Sequence, residues 1–245
     1  MRLDKFLGEF NIGTRKQIKE FLKNGRCRVN GQVILKGDLH VDEEADVVEV
    51  DGEVLCFKRF RYFLINKPVG VVSATRDGKN RTVLELLDAE NLRDVVPCGR
   101  LDIDTEGLLL LTNDGELVHR LLSPKRHVNK IYEVHLEKEL DDSDVRLLEA
   151  GVDIGDLRDD GSKDLTLPAH AEKVGIDSEG RPVVLLTIHE GRFHQVKRMM
   201  EALGNKVLFL KRLQMGPLKL DEKLLPGQYR ELTEEEIDIL KNASK

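Results

Sequence analysis

The chain has 245 residues, 40% of them hydrophobic and 34% charged, with three cysteines and a formal net charge of −6. That is enough to bury a substantial core, as one large domain or as a small domain plus a larger one. No apolar run approaches a membrane span, the opening Met-Arg-Leu-Asp-Lys lacks a signal-peptide core, and Cys27, Cys56 and Cys98 show no paired spacing. Membrane, secreted, disulfide-framed and zinc-bound classes are therefore set aside in favour of a cytoplasmic protein with reduced thiols.

The N-terminal stretch sets Leu3, Phe6, Leu7 and Phe10 at helical spacing. Thr14 is a good N-cap for a second helix over residues 15–24, with Ile18, Phe21 and Leu22 inward and Gly25 as its stop. Short strands follow at 27–29 and 32–34 around Asn30-Gly31, then at 47–50 and 54–57 around Asp51-Gly52, both strong hairpin turns. Charge is unevenly spread. Residues 1–36 hold nine basic side chains (Arg2, Lys5, Arg15, Lys16, Lys19, Lys23, Arg26, Arg28, Lys36) against Asp4, Glu9 and Glu20, a local excess of +6 in an acidic chain. Such a patch, and not the net charge, sets the field that a phosphate backbone feels.

Two short basic helices followed by a small sheet, with Arg-Leu-Asp-Lys-Phe-Leu at the head and Gly-Arg-Cys-Arg-Val-Asn-Gly at the first turn, resemble the S4 RNA-binding domain. The resemblance implies RNA contacts from Arg2, Lys5, Arg15, Lys16, Lys19, Lys23, Arg26 and Arg28. The alternative for these side chains is a solvated helical face. Residues 58–61 read as a short linker, which puts the boundary between domains 1–58 and 59–245.

Beyond residue 61 the strands become longer and more apolar. A strand over 62–65 meets the turn Asn66-Lys67-Pro68-Val69-Gly70, and residues 71–74 read as another strand. Thr82 and Glu85 form a capping box for a short helix to about residue 87. The polar stretch Gly99-Arg100-Leu101-Asp102-Ile103-Asp104-Thr105-Glu106-Gly107 lies between the apolar runs 95–97 and 108–111. A polar turn between buried strands is where a fold exposes catalytic side chains, and in isolation it reads equally as a solvated, Asp-rich turn. A strand at 108–112, the Asp114-Gly115 turn and a helix over 116–122 stopped by Ser123-Pro124 come next.

Lys125, Arg126, His127 and Lys130 make a second basic cluster before a strand at 131–136, where Tyr132, Val134 and Leu136 share one face. A helix follows from Asp141 or Asp142 to residue 150, then strands at 169–176 and 182–188. The last helix assigned runs over 193–203, with Phe193, Val196, Met200 and Leu203 toward the core. His194, Lys197 and Arg198 share its polar face, which taken alone reads as a basic surface turn or as a cation-reinforced anion site at the helix start. His189 and His194 lack metal-ligand spacing, so no metal is expected.

Residues 99–107, Lys130-Ile131-Tyr132, and Gly191-Arg192-Phe193-His194-Gln195-Val196-Lys197-Arg198-Met199 together resemble the motifs of pseudouridine synthases, and Asn66 to Gly70 matches as well. The RsuA type fits best: it joins an S4 domain to a catalytic domain of this length and carries lysine at position 197. The implied architecture is α+β, an S4 module followed by a catalytic domain on a mixed, largely antiparallel sheet. The implied reaction breaks the N1–C1′ bond of a uridine and rejoins the base through C5, which needs no cofactor. Asp102 would serve as nucleophile or base, Lys197 would pair with it and keep it ionised and aimed, and Tyr132 would stack on the uracil and assist proton transfer. Arg100, Arg192, Lys125, Arg126 and Lys130 would bind phosphates around the extruded base, joined by His194 and Gln195 at the helix start.

The same resemblance points to small-subunit 16S rRNA, free or within an assembling subunit, as the partner of a monomeric enzyme. Large-subunit 23S rRNA is the alternative, and a non-catalytic S4-type RNA-binding protein is a further one. A glycosidase or nuclease using Asp102 with Asp104 is disfavoured, because side chains two apart on one turn poorly flank a scissile bond.

Overall fold

The structure, a computed structural model, describes residues 1–10, 12–43, 45–55, 60–88, 92, 94–123 and 126–243. Cys56, the end of the strand expected at 54–57, the first half of the expected linker, Pro124 and Lys125 lie outside the described residues. The chain divides into two compact units, Met1–Arg61 with Asp88–Arg93, and Tyr62–Leu87 with Asp94–Lys245.

In the first unit α1 (Leu3–Glu9) and α2 (Arg15–Lys23) turn their apolar stripes inward, burying Leu3, Phe6, Leu7, Ile18, Phe21 and Leu22. Thr14 starts α2 through a capping box whose other half is Gln17: the Gln17 side chain accepts from the Thr14 amide at 2.8 Å. Four antiparallel strands, β1 (Cys27–Val29), β2 (Gln32–Val33), β3 (Val48–Val50) and β4 (Glu53–Leu55), lie in the order β2-β1-β3-β4. Asn30, Gly31, Asp51 and Gly52 all have positive φ, as two-residue type I′ hairpins require. Cys27, Val29, Val48 and Val50 complete this core against the two helices.

The second unit is built on one large sheet. Its strands are β5 (Tyr62–Lys67), β6 (Val96–Pro97), β7 (Glu106–Thr112), β8 (Lys130–Leu136), β9 (His170–Ile176), β10 (Pro182–Ile188), β11 (Val207–Met215), β12 (Leu218–Lys219) and β13 (Tyr229–Glu231). The main path runs β13-β5-β7-β11-β8-β10-β9, with β6 beside β7 and β12 beside β11. Every pairing is antiparallel except β7 with β11. The helices are α3 (Gly115–Leu122), α4 (Asp142–Ala150), α5 (Gln195–Ala202) and α6 (Glu234–Ala243). Strands β5 and β7 are buried on both faces; Leu108, Leu110, Tyr62 and Leu64 pack one side with Leu117, Leu121 and Leu240. No helix is long and apolar enough to cross a membrane among the described residues.

Three expectations change here. Asn66 and Lys67 extend β5 into the interior and do not form a turn. Residues 71–74 make only an isolated bridge, Val72 to Thr82, in place of a strand. The helix expected at 193–203 begins at Gln195, because His194 takes a left-handed conformation (φ 47°) that stops it from extending backward. Phe193 is thereby displaced from the helix stripe and is 75% exposed, where a core position was expected.

Candidate active site

The stretch 101–105 is held from below by its neighbours in the sheet. Lys67, fully buried at the end of β5, donates from Nζ to the carbonyls of Thr105 (2.8 Å), Pro68 (3.0 Å) and Ile103 (3.5 Å). Ser73 accepts from the Leu101 amide at 3.0 Å and donates to the Leu101 carbonyl at 2.9 Å, while the Gly70 amide donates to the Ile103 carbonyl at 2.7 Å. Lys67, Gly70 and Ser73 thus cradle the Asp102 turn. Burial pushes the Lys67 ammonium down to about 8, even though the carboxylates of Asp102, Asp104 and Glu106 oppose that shift.

Beyond the turn the chain enters β7 through Gly107, whose φ is +104°. A Cβ there would lie 2.3 Å from the carbonyl oxygen and 2.6 Å from the nitrogen of Arg212 on β11. Only glycine lets the parallel β7–β11 pair close at this level. Arg212 is itself buried and donates from Nε to the Leu108 carbonyl at 2.8 Å.

Lys197, on the first turn of α5, reaches across to this turn. Its Nζ donates to Oδ2 of Asp102 at 3.1 Å and to Oδ1 of Asp104 at 2.5 Å. Burial disfavours both charges, but the shared contact outweighs it: Asp104 titrates below the usual carboxylate range and Lys197 above the usual lysine value. His194 Nε2 stands 3.6 Å from Oδ1 of Asp102. The structure therefore gathers Asp102, Asp104, Lys197 and His194 from two segments more than ninety residues apart.

Tyr132 is placed on β8, in register with Arg212 of β11 and Leu186 of β10, and is buried on the same face as Val134 and Leu136. Among the described residues it has no hydrogen bond to Asp102 or Lys197. Arg100 and Arg126 are exposed and form no ion pair among the described residues. In the first unit Lys5, Arg15, Lys16, Lys19, Lys23 and Arg28 are likewise exposed, with no ion pair among the described residues. Arg2 pairs with Asp4 at 2.7 Å, and Arg26 grips Asp51 while its guanidinium lies 4.5 Å over the Phe21 ring.

Three expected RNA contacts are internal instead. Lys130 is buried, donates to the Val128 carbonyl at 2.9 Å, and is pushed down to about 8 by burial and by the Arg212 charge. Arg192 is spent on Glu190 (3.0 Å), Asp156 (3.3 Å) and the carbonyls of Asp164 and Leu165 (2.8 Å each). Gln195 is buried, accepts from the Arg192 amide at 2.9 Å and donates to Glu190 at 3.0 Å. Arg198 adds contacts to Asp156 at 2.6 Å and to the Ile154 carbonyl. The polar motif that starts α5 thus spends both its arginines anchoring the loop after α4, leaving Lys197 and His194 for the carboxylates. Lys67 lies in the Asn66–Gly70 stretch that matches the family motifs, but nothing in the spacing of Lys67, Arg212 or Ser73 marks a buried cation or a brace.

Among the described residues no group of three or more His, Cys, Asp or Glu side chains could hold a metal ion. A carboxylate held by an ammonium at 3.1 Å, as Asp102 is by Lys197, is a group able to act as nucleophile or base.

Residues 61–202 match the RNA pseudouridylate synthase family and residues 1–54 the S4 domain. The chain is 49% identical to the RNA pseudouridine synthase YtzG of Bacillus subtilis, over 98% of each chain. It is 46% identical to the ribosomal small subunit pseudouridine synthase A of Vibrio vulnificus, over 97% of this chain and 98% of that one. A crystal structure of a pseudouridylate synthase superposes with a TM-score of 0.65 at 38% identity, covering 98% of this chain and 99% of the other. The chain belongs to the RNA pseudouridine synthase family, in the branch that joins an S4 domain to the catalytic domain, and is an isomerase.

Proposed function

We propose that the chain converts one uridine of small-subunit 16S rRNA to pseudouridine, with Asp102 as the catalytic carboxylate. The observation that carries the residue assignment is the Lys197 contact to Asp102, which joins the two most distinctive motifs at one point. The names of relatives at 39–46% identity, each a ribosomal small subunit pseudouridine synthase A, support the choice of RNA.

The reaction is an isomerisation: N1–C1′ breaks, C5–C1′ forms, the C5 proton leaves and N1 gains one. Asp102 acts at the flipped nucleotide, oriented and balanced in charge by Lys197. Tyr132 supplies the flat surface against the uracil and assists the proton transfer. Arg100, Arg126 and His194 receive the flanking phosphates, and the basic face of residues 1–58 docks the rRNA before residues 59–245 do the chemistry. The enzyme works as a monomer in the cytoplasm, on rRNA or an assembling small subunit.

The test is to incubate purified protein with unmodified small- and large-subunit rRNA transcripts and map pseudouridine in both. One new pseudouridine in the small-subunit transcript, absent with Asp102→Asn, is the expected result. Modification of the large-subunit transcript alone would overturn the choice of RNA.

A further inference from the structure

Phe193 and His194 form a stacked pair, ring centroids 3.8 Å apart and planes within 17°. Phe193 is 75% exposed, whereas Phe6, Phe21 and Phe63 are buried. An exposed aromatic ring stacked on a side chain that reaches the Asp102 carboxylate is a ready surface for stacking. The backbone around it is tied on both sides. The Phe193 carbonyl accepts from Arg198 at 3.1 Å, the Arg192 amide donates to Gln195, and the Arg192 guanidinium is held by Glu190 and Asp156. His194 adds a left-handed backbone, a strained conformation of the kind that clusters at functional sites. A rigid segment presenting an apolar ring to solvent is a pre-organised anchor.

The inner member of the pair points to the chemistry, since His194 Nε2 is 3.6 Å from Asp102. Phe193 stacks on the ring that reaches the carboxylate. Extruding a uridine leaves its neighbours in the RNA without a stacking partner, and aromatic rings are the side chains that replace one. We infer that the Phe193–His194 stack is a platform on which a nucleobase next to the target uridine packs while that uridine occupies the Asp102 site. This rests on the proposed function only in taking RNA as the substrate at Asp102. It makes Phe193 a binding and positioning residue for single-stranded or unstacked RNA.

The chain has no tryptophan, so Phe193→Trp is a unique reporter at the proposed contact. Its emission is to be followed during titration with small- and large-subunit rRNA transcripts, beside Ile176→Trp, an equally exposed control on β9. The reading is taken on whichever transcript the wild type modifies, so a wrong choice of rRNA shows as a change of transcript and not as lost stacking. The double variant with Asp102→Asn separates binding from chemistry. Quenching of the position-193 emission is expected with and without the Asp102→Asn change, and none at position 176. In single-turnover assays Phe193→Leu should raise the half-saturating RNA concentration roughly 5- to 150-fold, the range of one lost base stack. Phe193→Tyr and Phe193→Trp should stay near wild type, and the rate at saturation should change less than the affinity. Unquenched emission at saturating RNA, or a leucine variant that matches the tyrosine variant, would overturn the platform.

Discussion

The shorter of the two carboxylate contacts made by Lys197 is to Asp104: Nζ lies 2.5 Å from Oδ1 there, against 3.1 Å to Oδ2 of Asp102. One ammonium thus serves two carboxylates on a single turn. Asp104 is the more exposed of the pair, with 65% of its side chain accessible against 27% for Asp102. An exposed carboxylate is well solvated without its partner, whereas the more enclosed Asp102 has less water available to replace it.

Lys197→Met keeps the stem and deletes the charge. Pseudouridine formation at neutral pH should fall by about 100-fold, the scale of losing one pre-organised charged group in an active site. Lys197→Arg should recover part of the activity, being a permanent cation of different reach. Single-turnover rates of the three proteins check this, and equal rates for methionine and lysine would show that no ion pair is needed.

Lys67 gives a prediction in stability. Lys67→Met leaves the carbonyls of Thr105, Pro68 and Ile103 without their donor, which should cost about 1–3 kcal/mol and slacken the Asp102 turn. The pH dependence has a definite sign. Lys67 titrates at about 8 when folded and near 10.5 when unfolded, so between these values the unfolded chain binds more protons and wild-type stability gains from each rise in pH. That contribution is complete above 10.5 and lost as pH falls through 8. The gap between wild type and Lys67→Met should therefore widen from about pH 8 to about pH 10 in denaturant titrations. A gap that narrows would mean the buried ammonium is stabilised by its charge.

Much of this is legible in the sequence. Helices α1 and α2 follow from apolar spacing and a Thr14 cap, and both hairpins of the first unit from Asn-Gly and Asp-Gly. The joining of Asp102 to Lys197 follows from family motifs, not from spacing, since no local pattern links residues 95 apart. Strand β11 escapes a sequence reading although it lies mid-sheet: Lys211, Arg212 and Gln214 break its apolar alternation, and Arg212 is nevertheless buried. Phe193 reads as inward only if helical periodicity is extended through His194, whose left-handed backbone no periodicity reveals. Lys130, Arg192 and Gln195 read as RNA contacts because basic and amide side chains are usually exposed. Their partners, Val128, Glu190 and Asp156, are brought to them only by the tertiary fold.

Arg15, Lys16, Lys19 and Lys23 are exposed on α2, and none forms an ion pair among the described residues. Replacing all four with glutamine should weaken rRNA binding and flatten its salt dependence, each lost phosphate contact reducing the log–log slope by about 0.7–0.9. The single-turnover rate at saturating RNA should hardly change. Affinity against salt concentration, measured beside that rate, separates docking from chemistry. A collapse of the saturated rate with unchanged affinity would place these side chains in catalysis instead.

The most direct measurement compares Asp102→Asn with Asp104→Asn in cells lacking the chain, by mapping every pseudouridine in the small-subunit rRNA. Both variants keep the shape of the turn and remove one of the two charges that Lys197 bridges. Asp102→Asn should restore no pseudouridine while binding the rRNA within a few-fold of wild type, and Asp104→Asn should restore the site. Restoration by Asp102→Asn together with failure of Asp104→Asn would contradict the assignment and move the catalytic carboxylate two residues along the turn.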